Sequence, residues 1–589
     1  MPQDILIKDA INLYAQGNLN ESETLFRQIL FSDPVNSQAL YFLGLIAATK
    51  GIYDEASQLL YRATLIEPKN TDYLYSLATV LQESGKTKEA IEMYEKLPEM
   101  PESWNNLGNI YMADDDLKKA LKCFDEALQR DPKMLWAMVN KSILLRMQND
   151  ITSAKKILHE ALKIDGKFIP TLYQLSVCYR QESKFEKALQ TIQNALQFNN
   201  IPDFVYVEYG KVLCLLNQKK EALAAFDKAI EINRFCQDAY FEKALILENE
   251  NKSEAEKVYR DLLRINPNNI AAYNNLGSLL YRMNRTNEAL EMYRQVVILN
   301  PNDMAGCFNL AVALEDLEEY AEAAGLYFNV LSHHQFEEQT HIRLSALLPK
   351  LFEQDKDLAL RYAEGWVKNF PQNTWALHTS AALSEKPDDI KNDLAYAQNL
   401  YDHFAETYED KMHELTCEVP QKIGEIIGKN HYQTALDLGC GTGLCGVVLK
   451  PLCDSLDGVD ISKEMVKIAE QKNIYAHLYQ SDIKTFLSDT KQKYDLIVAS
   501  DVFCYINYLS EIIKEIHKVL KTGGTFIFTT EKSENKATQM THSGRYQHAP
   551  ALVESELKNA GFKTVNITET PLRKEGAGEC QGNIFVVEK

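Results

Sequence analysis

The sequence predicts a multidomain chain: an all-α array of helical repeats over residues 1–388, then an α/β domain with a mainly parallel sheet over residues 389–589. Three observations predict it. Prolines recur 34 residues apart, at Pro34 and Pro68 and again at Pro267 and Pro301, with Pro132 in the same setting. After residue 430 the apolar pattern changes from helical repeats to short strands alternating with helices. A chain of 589 residues is also too long for one hydrophobic core.

Composition narrows the function classes. Hydrophobic content of 45% and charged content of 25% are those of a soluble globular protein. The formal net charge of −20 disfavours a general nucleic-acid binder, which needs cations to neutralise phosphates. No run of eighteen apolar residues exists, so no membrane span is expected, and the N-terminal residues do not read as a signal peptide. The 11 cysteines are an odd, scattered set that suits a reducing cytoplasm. Cys440, Cys445 and Cys453 lie close together but match no zinc spacing, and no metal site is expected.

The repeats follow from packing. Small residues stand twelve positions before most of the prolines, as at Ala56 and Ala120, and five positions before Pro68 and Pro132, at Ala63 and Ala127. A large residue lies between the two positions: Leu60, Phe124, Tyr259 or Tyr293. The clearest unit contains Trp104, Leu107, Gly108, Tyr111, Ala120, Phe124, Ala127 and Pro132. Each unit reads as two amphipathic helices, with small residues where the helices cross and a proline ending the second. No unit buries its apolar face alone, so the units must stack. In these residues, and in Tyr273, Leu276, Gly277, Ala289, Tyr293 and Pro301, the chain resembles the tetratricopeptide repeat family. About eleven units are expected, shortened near Pro98 and faint over residues 338–371. Such an array implies a surface for a protein or peptide partner. Its inner-face candidates are Asn105, Asn109, Tyr173, Arg180, Lys211, Asn274 and Ser278, a mixed polar set.

The last third reads as strands at residues 434–439, 455–460, 476–482, 494–501 and 523–530, with helices between them. Ser462 is a plausible N-cap, and Gly523 and Gly524 stop the helix before the fifth strand. The first strand runs into Asp437-Leu-Gly439-Cys440-Gly441-Thr-Gly443. Glycines there let the backbone approach a ligand at the carboxyl edge of the sheet. Asp460 ends the second strand, where a carboxylate accepts ribose hydroxyls. Gly441, Gly443 and Gly446 also satisfy the dinucleotide pattern, so a nicotinamide-dependent dehydrogenase is the rival reading. Three features tilt against it. Asp437 would repel a pyrophosphate but suits a cationic ligand. Asp482 could hold an adenine amino group, with Ile461 and Ile483 on the base. The final connection, through Pro571, Gly576, Gly578 and Gly582, is not helical, so the last two strands must be antiparallel.

With its DLGCGTG motif the domain resembles class I S-adenosylmethionine-dependent methyltransferases, over nearly all of residues 395–589. The resemblance implies a Rossmann-like fold, a seven-stranded sheet with one reversed strand. It also implies S-adenosyl-L-methionine as cofactor. Asp437, Gly439, Gly441 and Gly443, with Cys440 in the same motif, would line its methionine end; Asp460 would bind the ribose and Asp482 the adenine. Asp501 would face the transfer site. Residues 395–430 would form a helical lid, and Tyr401, Phe404 and Tyr408 fall on one face of the helix expected over residues 401–412.

The insert after the fifth strand carries His542, Arg545, Tyr546 and His548. The resemblance places it over the acceptor, with a histidine as candidate base and Arg545 and Tyr546 as candidate acceptor contacts. Arg573 and Lys574 could join the same rim. The fourth strand ends Ser500-Asp501-Val502-Phe503, without the signature of adenine-amino or glutamine-amide methyltransferases. The expected function is a methyltransferase whose repeats recruit a protein acceptor. The alternatives are a small-molecule methyltransferase that uses the repeats for assembly, and a non-catalytic scaffold. The oligomeric state is left open.

Overall fold

The computed structural model describes every residue except 1–2, 334–335, 385–392, 536 and 576–577. The chain divides into two compact units, Met1–Ala272 and Tyr273–Lys589. The division falls within the helix Ile270–Arg282, so both units contain repeats. The boundary expected at residues 388 and 389 lies outside the described residues.

Among the described residues, twenty-two helices follow one another from Gln3 to Asn369, and a single helix, Thr374–Leu383, comes after them. The pair Pro101–Ala113 and Leu117–Arg130 shows why the sequence folds this way. Asp115 takes a left-handed φ of 59° in the turn, and the Asp116 carboxylate caps the second helix by accepting from Lys119 N–H. Pro132 forces Asp131 into an extended conformation and ends that helix. Ala120, Phe124 and Ala127 are fully buried. A Cβ on Gly108 would stand 2.5 Å from the Phe124 ring, so the glycine is what lets the two helices close. Phe124 also packs on Leu144 of the following repeat. Where the repeat signal weakens, the helices change length. The second helix before Pro98 is only nine residues, Thr87–Glu95, and the later helix Glu337–Gln354 runs for 18 with Pro349 inside it.

The second unit also holds a nine-stranded sheet. Its strands are β1 (Tyr432–Leu438), β2 (Cys453–Asp460), β3 (His477–Gln480), β4 (Tyr494–Ala499), β5 (Leu520–Lys532), β6 (Gln539–Met540), β7 (Tyr546–His548), β8 (Lys563–Glu575) and β9 (Gly578–Glu588). β1 to β5 run parallel in the order β3-β2-β1-β4-β5. β9 pairs antiparallel with β5, and β8 with β9, which gives the reversed strand the sequence implies. Side chains alternate between two apolar layers. Leu496 and Val498 of β4 face the helices Val419–Ile427 and Leu444–Leu449, whereas Ile497 and Ala499 face Ser510–Val519 and Pro550–Ala560.

Two expectations need correction, on the insert and on the lid helix. The insert is not one loop: β6 and β7 form within it, β7 pairing with β5 at Glu531 and Lys532, past the residues that pair with β4. The connection through Pro571 is not helical and joins antiparallel strands, as the sequence implies, and β8 continues through Pro571 with a bulge at that point; Gly576 lies outside the described residues. The expected lid helix is broken into Asp393–Phe404, the short 3-10 turn Ala405–Thr407, and Tyr408–Glu414. The break turns Phe404 outward while Tyr401 and Tyr408 remain half-buried.

Candidate functional site

The carboxyl ends of β1, β2 and β3 open onto a cavity of about 330 Å³. Gly439, Asp460, Ile461, Asp482, Ile483 and Tyr401 all lie on its wall, so six sequence-predicted residues are brought together there. The turn after β1 reaches it through left-handed backbone: φ is +70° at Gly439 and +53° at Gly441. A Cβ on Gly439 would stand 2.5 Å from Val502, so no larger residue fits. Gly441, Gly443, Cys440, Asp437 and Tyr408 are not among the residues that line the cavity. Gly441 N–H donates to Asp460 Oδ2 at 2.8 Å, and Ser462 N–H donates to Asp460 Oδ1 at 2.9 Å. These amides thereby fix the carboxylate at the cavity edge. Burial pushes the Asp460 carboxyl above its ordinary range, against the pull of these amides. Asp482 is held similarly, accepting from Thr485 N–H at 3.0 Å as the N-cap of helix Ile483–Asp489. The Cys440 thiol is buried and pushed well up by that burial, which keeps it neutral.

Asp437 is fully buried. Its Oδ2 accepts from the Tyr475 hydroxyl at 2.8 Å, while Oδ1 has no partner among the described residues. Burial raises this carboxyl to about 7. Tyr475, which the sequence reading missed, explains two other residues. A Cβ on Gly446 would lie 2.1 Å from its hydroxyl, and one on Gly458 2.9 Å from its ring. The third glycine of the dinucleotide-like pattern therefore makes room for a tyrosine. The side chain is 38 residues from its acid, and nothing local in the sequence marks the pairing.

The family model for a methyltransferase domain matches residues 436–528, and models for tetratricopeptide repeats match residues 8–72, 71–97, 101–134, 216–270 and 270–303. The chain joins tetratricopeptide repeats to a methyltransferase domain. A malonyl-(acyl-carrier protein) O-methyltransferase of Halalkalibacterium halodurans is 30% identical over 149 residues, 24% of this chain and 54% of that protein, so the chain spans about half of that relative. A ubiquinone biosynthesis O-methyltransferase of Nitrosomonas europaea is 22% identical over 200 residues, 29% of this chain and 83% of that protein. Among solved structures, a tetratricopeptide repeat protein from Parabacteroides merdae is 21% identical and covers 42% of this chain and 98% of its own, with a TM-score of 0.37.

In the methyltransferase domain the residues expected on the acceptor side are tied to one another. Asp501, just past β4 with φ +52°, accepts from Arg545 at 2.9 Å and from Arg573 at 3.3 Å. Glu531 accepts from the same two guanidiniums at 2.5 and 2.6 Å. Arg545 also donates to the Tyr505 hydroxyl at 2.7 Å and to Cys504 Sγ at 2.8 Å. Asp501, Cys504 and Glu531 bring potential metal-ligating atoms within 4.8 Å of one another, but the Arg545 guanidinium already donates to all three. Burial pushes the Glu531 carboxyl up, and the two arginines outweigh it and hold it below its ordinary value. Arg545 is thus a buried partner of two acids rather than an open acceptor contact. Glu531 and Tyr505 were not foreseen.

The other insert residues are also corrected. Tyr546 is fully buried with Met540 and with Ala382 of helix Thr374–Leu383, so it is core. His548 is 1% exposed. Its Nε2 meets the Phe503 carbonyl at 3.2 Å and its Nδ1 meets the Thr538 hydroxyl at 3.2 Å, so both nitrogens are engaged and no acceptor reaches them. His542 packs on Phe352 with ring centroids 4.2 Å apart, and its Nδ1 lies 3.4 Å from Glu353, away from the cavity. The insert therefore docks on the last repeat helices. His378 Nε2 meets the Gly544 carbonyl at 2.8 Å, which completes that contact.

In the first unit, Tyr173, Arg180 and Lys211 line a groove of about 610 Å³ together with Arg146 and Glu208. Glu208 is 2% exposed and accepts from Arg180 at 2.8 Å. Asn105 is buried and accepts from Asn140 at 2.9 Å. In the second unit Asn274 accepts from Asn309 at 3.2 Å, and Ser278 meets the Tyr293 hydroxyl at 3.1 Å. These last three serve contacts between helices.

Proposed function

We propose that the chain is an S-adenosylmethionine-dependent methyltransferase whose repeats recruit a protein acceptor. The observation that carries this reading is the Asp437 carboxylate, buried behind a glycine turn with one oxygen unpartnered among the described residues. A buried lone oxygen is costly unless a ligand cation completes it, and the donor has both an ammonium and a sulfonium. The same charge would repel the pyrophosphate of a dinucleotide, and the third glycine of that pattern is already covered by Tyr475.

When bound, the donor offers a methyl group on a positive sulfur; an acceptor lone pair forms the new bond to carbon as the carbon–sulfur electrons return to sulfur. This chain's residues would orient and enclose. Asp460, fixed by two amides, would accept ribose hydroxyl protons. Ile461 and Ile483 would flank the adenine, with Asp482 at its amino group. Tyr401 would exclude water from above, and Asp437 would hold the ammonium. Much of the rate would come from alignment, since displacement of this kind needs no metal and a base only for a protonated acceptor. We assign a cytoplasmic setting, since the eleven scattered cysteines suit a reducing compartment. Among the described residues no helix is long and apolar enough to cross a membrane.

Calorimetry of the full chain should give donor binding and no binding of a nicotinamide dinucleotide. Asp460→Ala should abolish the former without changing the helical circular dichroism. Unchanged donor affinity in that variant would remove the ribose assignment. Isotope-labelled donor in a cell extract should label a protein band. The O-methyltransferase relatives support a second reading, a small-molecule acceptor, and label confined to the small-molecule fraction would establish that instead.

A further inference from the structure

The groove of about 610 Å³ in the first unit holds a positive charge that the fold leaves unmatched. Its wall is built by the first helices of four successive repeats, Leu135–Met147, Ile169–Gln181, Asp203–Leu215 and Gln237–Glu250. Two of its three cations have acids. Arg180 donates to Glu208 at 2.8 Å, and Lys211 stands 3.3 Å from Glu242. The third, Arg146, differs: its Nε is buried with no hydrogen-bond partner among the described residues, and no carboxylate there pairs with its guanidinium. A guanidinium N–H buried in a wall is costly until an acceptor completes it. Tyr173 adds an open hydroxyl beside it. Burial, and after it the Glu208 charge, hold that phenol above its ordinary value against the pull of Arg146 and Arg180, so it stays an O–H and shares one field with both guanidiniums. The rest of the wall offers aromatic faces. Phe204 meets the Tyr173 ring edge to face with centroids 4.8 Å apart, and Phe235 is 63% exposed. A few polar atoms converging beside an apolar platform make a binding site rather than a contact between helices.

We propose that this groove binds a protein segment through one aspartate or glutamate side chain, its carboxylate on the Arg146 guanidinium and the Tyr173 hydroxyl, with a neighbouring aromatic side chain on Phe204 and Phe235. The fork of a guanidinium matches the two oxygens of a carboxylate. A phosphate offers similar oxygens but carries more negative charge, which Asp203, Glu208 and Asp238 on the same wall oppose. A cationic side chain would leave Arg146 unmatched and add repulsion. The site rests on the reading that the repeats recruit a protein, and deepens it by naming the chemistry they take.

The test is calorimetry of the full chain with the peptide Gly-Gly-Phe-Glu-Phe-Gly-Gly, both ends blocked so that the glutamate is its only carboxylate. Matched peptides carry glutamine, lysine or phosphoserine in place of the glutamate. The glutamate peptide should bind, and less tightly at raised salt. The glutamine and lysine peptides should bind about tenfold less well, for want of the charge-assisted bond. Arg146→Met keeps the apolar stem and should cost the glutamate peptide the same roughly tenfold, with the glutamine peptide and the melting temperature unchanged, because the fold loses no partner. Phe235→Ser, at an exposed position, should weaken both peptides. Equal binding of the glutamate and glutamine peptides, tighter binding of the phosphoserine peptide, no binding of any peptide, or indifference to Arg146→Met would overturn the proposal. So would a lower melting temperature in Arg146→Met, which would give the guanidinium a role in the fold. Calorimetry with the methyl donor on the same samples keeps the two claims apart. A chain that binds the glutamate peptide but no methyl donor would fail as a methyltransferase while keeping its groove.

Discussion

Two charged residues decide most of the chemistry at the scale of single side chains. Asp437 holds its proton up to about pH 7 because burial disfavours the carboxylate. The folded state therefore binds that proton more tightly than the unfolded chain does. Its contribution to stability should fall as pH rises from about 4 to about 7, the window between the unfolded and folded values. Asp437→Asn should flatten that slope and melt higher than the wild type at alkaline pH. Donor affinity should run the other way, rising through about pH 7 as the carboxylate forms, and Tyr475→Phe should move that rise to higher pH by removing a bond that favours the charged form. Calorimetry across the range checks both, and a pH-independent affinity would contradict the role given to Asp437. Arg545 is the second case. Arg545→Ala leaves Asp501 and Glu531 short of a countercharge in the interior and should cost about 3–5 kcal/mol in urea unfolding. A variant of wild-type stability with a raised KM would restore Arg545 as an acceptor contact.

At the scale of elements, the repeat is set by one crossing. Gly108→Ala places a Cβ 2.5 Å from Phe124 and should destabilise by about 1–3 kcal/mol through overpacking. Adding Phe124→Leu should recover part of that loss, because the smaller side chain vacates the space the new methyl needs. Additive losses in this cycle would mean that the two residues do not share the crossing. The helix pair was legible because each requirement recurs at a fixed spacing. The break of the lid helix after Phe404 was not, since Tyr401, Phe404 and Tyr408 satisfy helical spacing equally well in a straight helix.

At the scale of the whole molecule, a buried hydrogen bond between His378 and Gly544 joins repeats and methyltransferase domain within the second unit. Gly544 has φ +81°, and a Cβ there would meet His378 at 2.6 Å. Gly544→Ala should lower the melting temperature by several degrees, through backbone strain and loss of the contact with His378. An unchanged melting curve would mean that this contact adds nothing to the unit. The segment expected to cover an acceptor is thus largely spent on docking, while Leu394, Ala397 and Tyr401 of helix Asp393–Phe404 line the donor cavity.

The sequence alone determined the helix pairs, the parallel strands, the reversed last strand and the glycine turn with its flanking acids. All of these are demands of backbone geometry and side-chain period, which neighbours along the chain impose. Only the tertiary structure decided what the polar side chains do. Tyr475 meets Asp437 across 38 residues, Arg573 meets Glu531 across 42, and His378 meets Gly544 across 166. Whether a buried histidine or arginine binds a ligand or a neighbour depends on which distant group fills its hydrogen bonds, and no local spacing carries that information.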